Sequence, residues 1–235
     1  MSSQNIELVL DIETIKKDLD ADFTEYERTY LNQYDSEDGI FADRMALYPH
    51  TGEIAAIGAK NIISQKGFVI FQAGKKYKRE HQGEQGSYTL YGCSDEKGVL
   101  TSFWKIIRSM EKDGFFFNRL ITFNGKSFDI PYIFFRSAAQ GVEATHSLGL
   151  KGHNTFHLDL QEETCFYKKI RKFNLELNAK ALGIPYHKNQ EYNGKEVWKW
   201  FADKNFEKIA HYCFQDVEVA EKIYLVLKKY WKILF

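Results

Sequence analysis

Apolar positions along this chain follow two different periods, and the changeover between them marks out the elements. β-favouring apolar runs at ELVLDIE (7–13), EIAAIGAK (53–60), GFVIFQA (67–73), SYTLYGC (87–93) and LITFN (120–124) predict strands. A further strand is expected at NTFHLDL (154–160). Helix-like spacing marks VLTSFWKIIRSMEKD (99–113), DIPYIFFRSAAQ (129–140), FNLELNAKAL (173–182) and the long terminal run FEKIAHYCFQDVEVAEKIYLVLKKYW (206–231). Glu218 and Lys222 add a favourable i,i+4 pair to that last helix. An insertion of about residues 16–49 separates the first two strands and carries Tyr26, Tyr30, Tyr34, Phe41 and several acids. A lid, an oligomer contact and a packed surface helix are equally compatible with it. Strands alternating with helices in this order predict an α/β fold, a central mixed β-sheet flanked by helices.

Composition agrees with a packed enzyme-sized unit. The chain has 235 residues, 44% apolar, which supports a large core, and its three prolines, Pro49, Pro131 and Pro185, break no linker into it. A single domain over 1–235 is expected. Three cysteines, Cys93, Cys165 and Cys213, are odd in number and lack metal-type spacing, so reduced thiols are expected. The start, MSSQNIELVLDIET, has no basic stretch followed by an apolar one, and no long apolar run follows, which predicts a soluble, cytoplasmic protein without membrane contact. Acidic and basic residues balance at 32 each, so attraction to a polyanion has to come from local groups. Two clusters qualify, though each is also an ordinary solvated run. One is Lys75, Lys76, Lys78 and Arg79, in a loop after GFVIFQA; the other is Lys168, Lys169, Arg171 and Lys172, before the FNLELNAKAL helix. The second is preferred because it precedes the terminal motif.

The chemistry lies in four carboxylates on three distant segments. Asp11 and Glu13 project from one side of the first strand, where hard divalent cations would neutralise their repulsion, although strand ends at a solvated rim also carry acids. Asp129 falls at the start of a helix after an Asn124-Gly125 turn, a position that a capping residue would also fill. Tyr212 and Asp216, four apart on the terminal helix, share one face and would also suit a boundary hydrogen bond.

Together LVLDIET, ITFNGKSFDIP and IAHYCFQDVEVAEKIY resemble the three motifs of the DEDD-type 3′–5′ exonucleases of the ribonuclease-H-like superfamily, in the subgroup with tyrosine in the third motif. NLELNAKALGIP resembles the helical segment between the second and third motifs. The likeness, strongest to family-B polymerase proofreading domains and related stand-alone predicted exonucleases, runs from about residue 6 to about residue 228. It implies a three-layer ribonuclease-H-like fold. It also implies that Asp11, Glu13, Asp129 and Asp216 hold two divalent ions, Mg²⁺ or Mn²⁺, while Tyr212 positions the attacking water. Asn124, with Thr14 or Phe128, would border the terminal nucleotide; apart from the resemblance, the preferred basic cluster offers Lys168 and Arg171 as substrate contacts. The implied substrate is a nucleic acid with a single-stranded 3′ end, cut to nucleoside 5′-monophosphates.

His211 departs from the tyrosine pattern, because a histidine five residues before the last aspartate is the sister subgroup's spacing. On a regular helix His211 turns about 140° from Asp216 and Tyr212 only about 40°, which favours Tyr212 and leaves His211 as a helix-surface residue. His153, His157 and Asp159 lack a fourth partner for zinc, leaving Asp159 as a residue near the cleft, and no Gly-rich nucleotide loop is present. Three questions stay open: an RNA-trimming activity, a catalytically weak 3′-end-binding module, and a polymerase or repair partner served in trans. Polymerase motifs are lacking, and assembly state is not legible.

Overall fold

The computed structural model describes residues 5–33, 41–83, 86–112, 116–150, 156–185 and 196–232. Strand β1 (Asn5–Lys16) is followed by helix α1 (Glu25–Asn32) and two 3₁₀ turns, Phe41–Asp43 and Met45–Leu47. Strands β2 (Gly52–Asn61), β3 (Lys66–Gln72), β4 (Tyr77–Gly83) and β5 (Gly86–Cys93) come next, then helix α2 (Glu96–Lys112). Strand β6 (Phe116–Thr122), helix α3 (Asp129–Ala139), strand β7 (His157–Asp159) and helix α4 (Leu160–Thr164) lead into α5 (Leu175–Ala181), α6 (Val197–Ala202) and α7 (Phe206–Tyr230).

The strands form one seven-stranded sheet in the order β4-β5-β3-β2-β1-β6-β7. It is mixed: β1 is antiparallel to β2 and parallel to β6, and β3 is antiparallel to β2 and parallel to β5. Side-chain alternation sorts β1 between two cores. Val9 and Ile15 pack under α7 with Val69, Phe71, Val217 and Tyr224, whereas Leu8, Leu10 and Ile12 pack with Trp104 of α2 and Ile133 of α3. Helices thus cover both faces, as the alternating pattern predicts, and β1 is buried on both sides because it is central.

Local differences from expectation have simple causes. Lys78 and Arg79 are not in a loop; they lie on β4, an edge strand whose YKREHQG sequence meets water and so lacks the apolar alternation that would reveal it. The 154–160 strand shrinks to three described residues of β7, residues 151–155 lying outside the description. Lys16 belongs to β1, and the insertion after it contains α1, closed by a Thr24/Glu27 capping box and burying none of its own residues. Tyr26 and Tyr30 are exposed there and Phe41 is buried, while Tyr34 lies outside the described residues. A fully buried ion pair, Lys60 of β2 with Glu221 of α7 at 2.6 Å, fixes the long helix against the sheet.

Candidate active site

β1 outruns its parallel neighbour. Its pairing with β6 ends at Val9 opposite Ile121, while pairing with β2 continues to Lys16. Asp11 and Glu13 therefore stand where one side of the strand is unladdered, and their alternation with Val9 and Ile15 turns them toward α7. The ladder with β2 slips directly after Glu13, where Ala55 is the extra residue, a bulge that closes the acid pair off from the strand's end.

From α7, Asp216 completes a cluster: ligand oxygens of Asp11, Glu13 and Asp216 all lie within 4.8 Å of one another. Glu13 and Asp216 are buried and Asp11 is half-buried. Three carboxylates this close, short of water, repel one another strongly, and an all-oxygen donor set of this kind suits a hard divalent cation. The residues present thus fit a metal of that class.

Asp129 approaches from the other side. It is the first residue of α3, not its cap, which is Phe128 with no side-chain bond. Its Oδ1 accepts the Ile12 backbone N–H at 3.0 Å, the donor that β6 would have taken had it continued. Burial pushes its carboxyl up to about 7 against the pull of that N–H, with the nearby Asp159 adding to the rise. Asp129 stands outside the close trio.

Tyr212, almost fully buried, lies one turn before Asp216 and close to Asp216, Glu13 and Asp11. Burial, and then those three charges, raise its phenol far above the ordinary value, so it keeps its proton and acts as a donor. Trp200 of α6 meets its ring edge-on at 5.6 Å. His211 points elsewhere. Rather than sitting on the helix surface it is half-buried, bonded through Nδ1 to the Tyr88 hydroxyl on β5 and 4.7 Å from the His81 ring. Burial and His81 lower its pKa.

Two parts of the site escape sequence reasoning. Cys213, fully buried, wedges beneath the acids with its Sγ 3.5 Å from the Asp11 carbonyl; burial and the surrounding carboxylates keep it a thiol. Asp159 anchors the loop that delivers Asp129. Its buried carboxylate accepts the backbone N–H groups of Asn124 (2.9 Å), Lys126 (3.0 Å), Gln161 (3.0 Å) and Glu162 (3.3 Å), so it caps α4 and holds the turn together. Asn124 takes a left-handed φ of 66° there, which asparagine tolerates. An Asp nine residues before the basic cluster gives no periodic signal, and only its place near the cleft is legible.

The remaining expected residues make contacts of their own. Thr14 donates its hydroxyl to the Ala46 carbonyl at 2.8 Å, and Phe128 packs on Tyr132 with ring centroids 5.4 Å apart. Lys168 and Arg171 are exposed; Lys168 is the last of three consecutive left-handed residues, Phe166 to Lys168, and Arg171 follows them. Phe166 meets the Trp231 ring in a tilted contact at 5.2 Å, beyond the C-terminal end of α7. His157 binds Thr122, His153 lies outside the described residues, and no zinc-type group involving them occurs among the described residues.

The mixed seven-stranded sheet flanked by helices matches a fold found in family B DNA polymerases. The family described as "predicted 3′-5′ exonuclease related to the exonuclease domain of PolB" matches residues 50–232, and this chain belongs to it. A DNA polymerase of Pyrococcus glycovorans is 27% identical over 147 residues, 55% of this chain and 18% of that protein. The structure of the family B DNA polymerase from the hyperthermophilic archaeon Pyrobaculum calidifontis superposes with a TM-score of 0.55 at 16% identity, covering 97% of this chain and 24% of that one. The chain thus spans less than a quarter of these polymerases, and the second likeness establishes the fold. The family match begins after β1; in the fold, Asp11 and Glu13 are brought to Asp216 inside the matched region. Among the described residues no helix is long and apolar enough to cross a membrane.

Proposed function

We propose that the chain is a metal-dependent 3′–5′ exonuclease that removes nucleoside 5′-monophosphates from a single-stranded 3′ end, mainly of DNA. The observation that carries this reading is the Asp11–Glu13–Asp216 cluster lying against a protonated Tyr212. In this reading those three acids, with Asp129 as the fourth, hold two divalent ions, Mg²⁺ or Mn²⁺. Such ions supply charge neutralisation at the phosphate and a more acidic water. Tyr212 cannot act as a base while its phenol stays protonated, so its part is to orient water by hydrogen bonding beside Asp216. Asp129 is held by the Ile12 N–H and by the Asp159-braced loop. Asn124, Phe128 and Thr14 border the terminal nucleotide, and the whole chain works as one exonuclease unit. Three free, buried cysteines support a reducing, cytoplasmic setting.

The test is digestion of 5′-end-labelled single-stranded DNA, duplex DNA and RNA with Mg²⁺, Mn²⁺ or chelator. Stepwise shortening from the 3′ end that chelation and Asp11→Ala both abolish is the expected result. Endonucleolytic products, or cleavage indifferent to metal, would overturn it, and preferential shortening of RNA would replace the substrate.

A further inference from the structure

The acidic site leaves the basic residues without a role, and they are not evenly spread. Lys75, Lys78, Arg79, Lys204 and Lys208 line one groove of about 700 Å³, in which Glu207 is the single carboxylate. Its walls are the β3–β4 turn, β4 itself and the segment entering α7. In a chain whose charges cancel, five cations and one acid line this groove, and although Lys78 also pairs with Glu80 at 3.7 Å the balance is a local positive field. Glu207 is already engaged by Arg79 at 2.6 Å and Tyr77 at 2.9 Å, which stiffens the wall and offsets its charge within it. Asn205 makes no side-chain cap to α7, so the helix's partial positive end adds to the same field.

The groove adjoins the site. Lys208 is four residues before Tyr212, on the same face and about 6 Å along the helix. Its Nζ sits 4.4 Å over the Trp200 ring, and Trp200 in turn packs on Tyr212. The other basic cluster, Lys168 to Lys172, follows Phe166, whose ring lies 5.2 Å from Trp231 at the opposite end of α7. Resting on the exonuclease reading, we propose that this groove carries the phosphodiester backbone of the substrate strand as it leaves the site in the 5′ direction. The continuity from Tyr212 through Trp200 to Lys208 selects it over the 168–172 cluster.

The test pairs Lys75→Ala and Lys204→Ala, both on exposed residues outside helices. Two substrates are compared: an oligodeoxythymidylate of about a dozen nucleotides, long enough to fill the groove, and thymidine 5′-(p-nitrophenyl phosphate), too short to leave the site. KM for the oligonucleotide is expected to rise about tenfold at low salt with kcat retained. The slope of log KM against log salt should fall by about 1.4, two single-strand phosphate contacts. Hydrolysis of the p-nitrophenyl ester should not change, and Lys75→Arg with Lys204→Arg should restore the oligonucleotide KM. Equal losses on both substrates, no change in KM or slope, or a larger oligonucleotide effect from Lys168→Ala with Arg171→Ala would each overturn the proposal. If the wild type cleaves neither substrate, the exonuclease reading itself fails. The groove is then decided by fluorescence anisotropy with the same oligonucleotide: weaker binding by the double variant supports it, and equal binding or none by either protein overturns it.

Discussion

Gly58 and Cys213 occupy each other's space: a Cβ built on Gly58 would stand 2.9 Å from the Cys213 sulfur. Gly58 lies across the β1–β2 ladder from Asp11, so the missing side chain lets α7 settle onto the sheet at the level of the acids. The same Cβ would also meet Val217 at 3.2 Å. Gly58→Ala is therefore expected to lift the helix, costing about 1–3 kcal/mol, and to lower nuclease activity more than the folded fraction accounts for. Removing the sulfur as well, in Gly58→Ala with Cys213→Ala, should return part of both. Denaturant melts and activity on the two variants check this; simple additivity would show that the contact does not set the site.

If the acid trio holds a cation as proposed, the ion relieves the repulsion among its carboxylates. Without divalent metal, Asp216→Asn should be more stable than wild type by about 1 kcal/mol, since one of three crowded charges is gone. Adding Mn²⁺ should reverse the order: at a hundredfold excess over the dissociation constant a bound ion adds about 2.7 kcal/mol, which the variant forfeits. Thermal melts with and without Mn²⁺ read both halves, and a wild type indifferent to Mn²⁺ would count against a metal site.

Tyr212 and His211 are adjacent in sequence but face different neighbours. Tyr212 meets Asp216, Glu13 and Asp11; His211 meets Tyr88 and His81. Tyr212→Phe should lower kcat by about ten- to a hundredfold through misplaced water, with KM nearly unchanged. His211→Ala should leave kcat within about twofold and show its effect in stability instead, roughly 1 kcal/mol from the lost bond. A crippled His211 variant beside an active Tyr212 variant would invert the assignment.

Much of this arrangement was legible because its periods are local. Asp11 with Glu13 is a period of two on a strand, and Tyr212 with Asp216 a single helical turn, so each pair can be oriented from sequence alone. The mixed sheet and its flanking helices were legible for the same reason. What was not legible depends on contacts between distant segments. Gly58 matters because of Cys213, 155 positions later, and Asp159 because its carboxylate reaches back to Asn124 and Lys126. Neither residue carries a periodic signature. β4 was missed because both its faces are polar, and the basic groove because its lysines come from segments more than a hundred residues apart.

The Asp159 brace makes its own forecast. Asp159→Ala strips an acceptor from four backbone N–H groups and lets the Asn124 turn relax, at an expected cost of about 3 kcal/mol. Asp159→Asn keeps one acceptor oxygen and should lose less. Hydrogen exchange at Asn124 and Lys126 reports the loosening directly; unchanged protection in Asp159→Ala would show that the turn holds itself.

The neighbouring His157 sets a pH dependence that is separable from the acids. Buried against Thr122, its pKa falls from 6.5 to about 4, chiefly through burial and secondarily through the charge of Lys126. The unfolded chain therefore binds this proton more readily than the folded one between those values. Stability from this group is fully present above pH 6.5, and it is lost as the pH falls toward 4. Integrating over the window gives a loss of about 2 kcal/mol between about pH 7 and about pH 5. In His157→Gln, whose amide can still bond the Thr122 hydroxyl, that part of the acid dependence should vanish even if the variant is less stable at neutral pH. Urea midpoints for both proteins across the window measure the difference in slope. Parallel curves would mean that His157 is protonated in the folded state as readily as in the unfolded one.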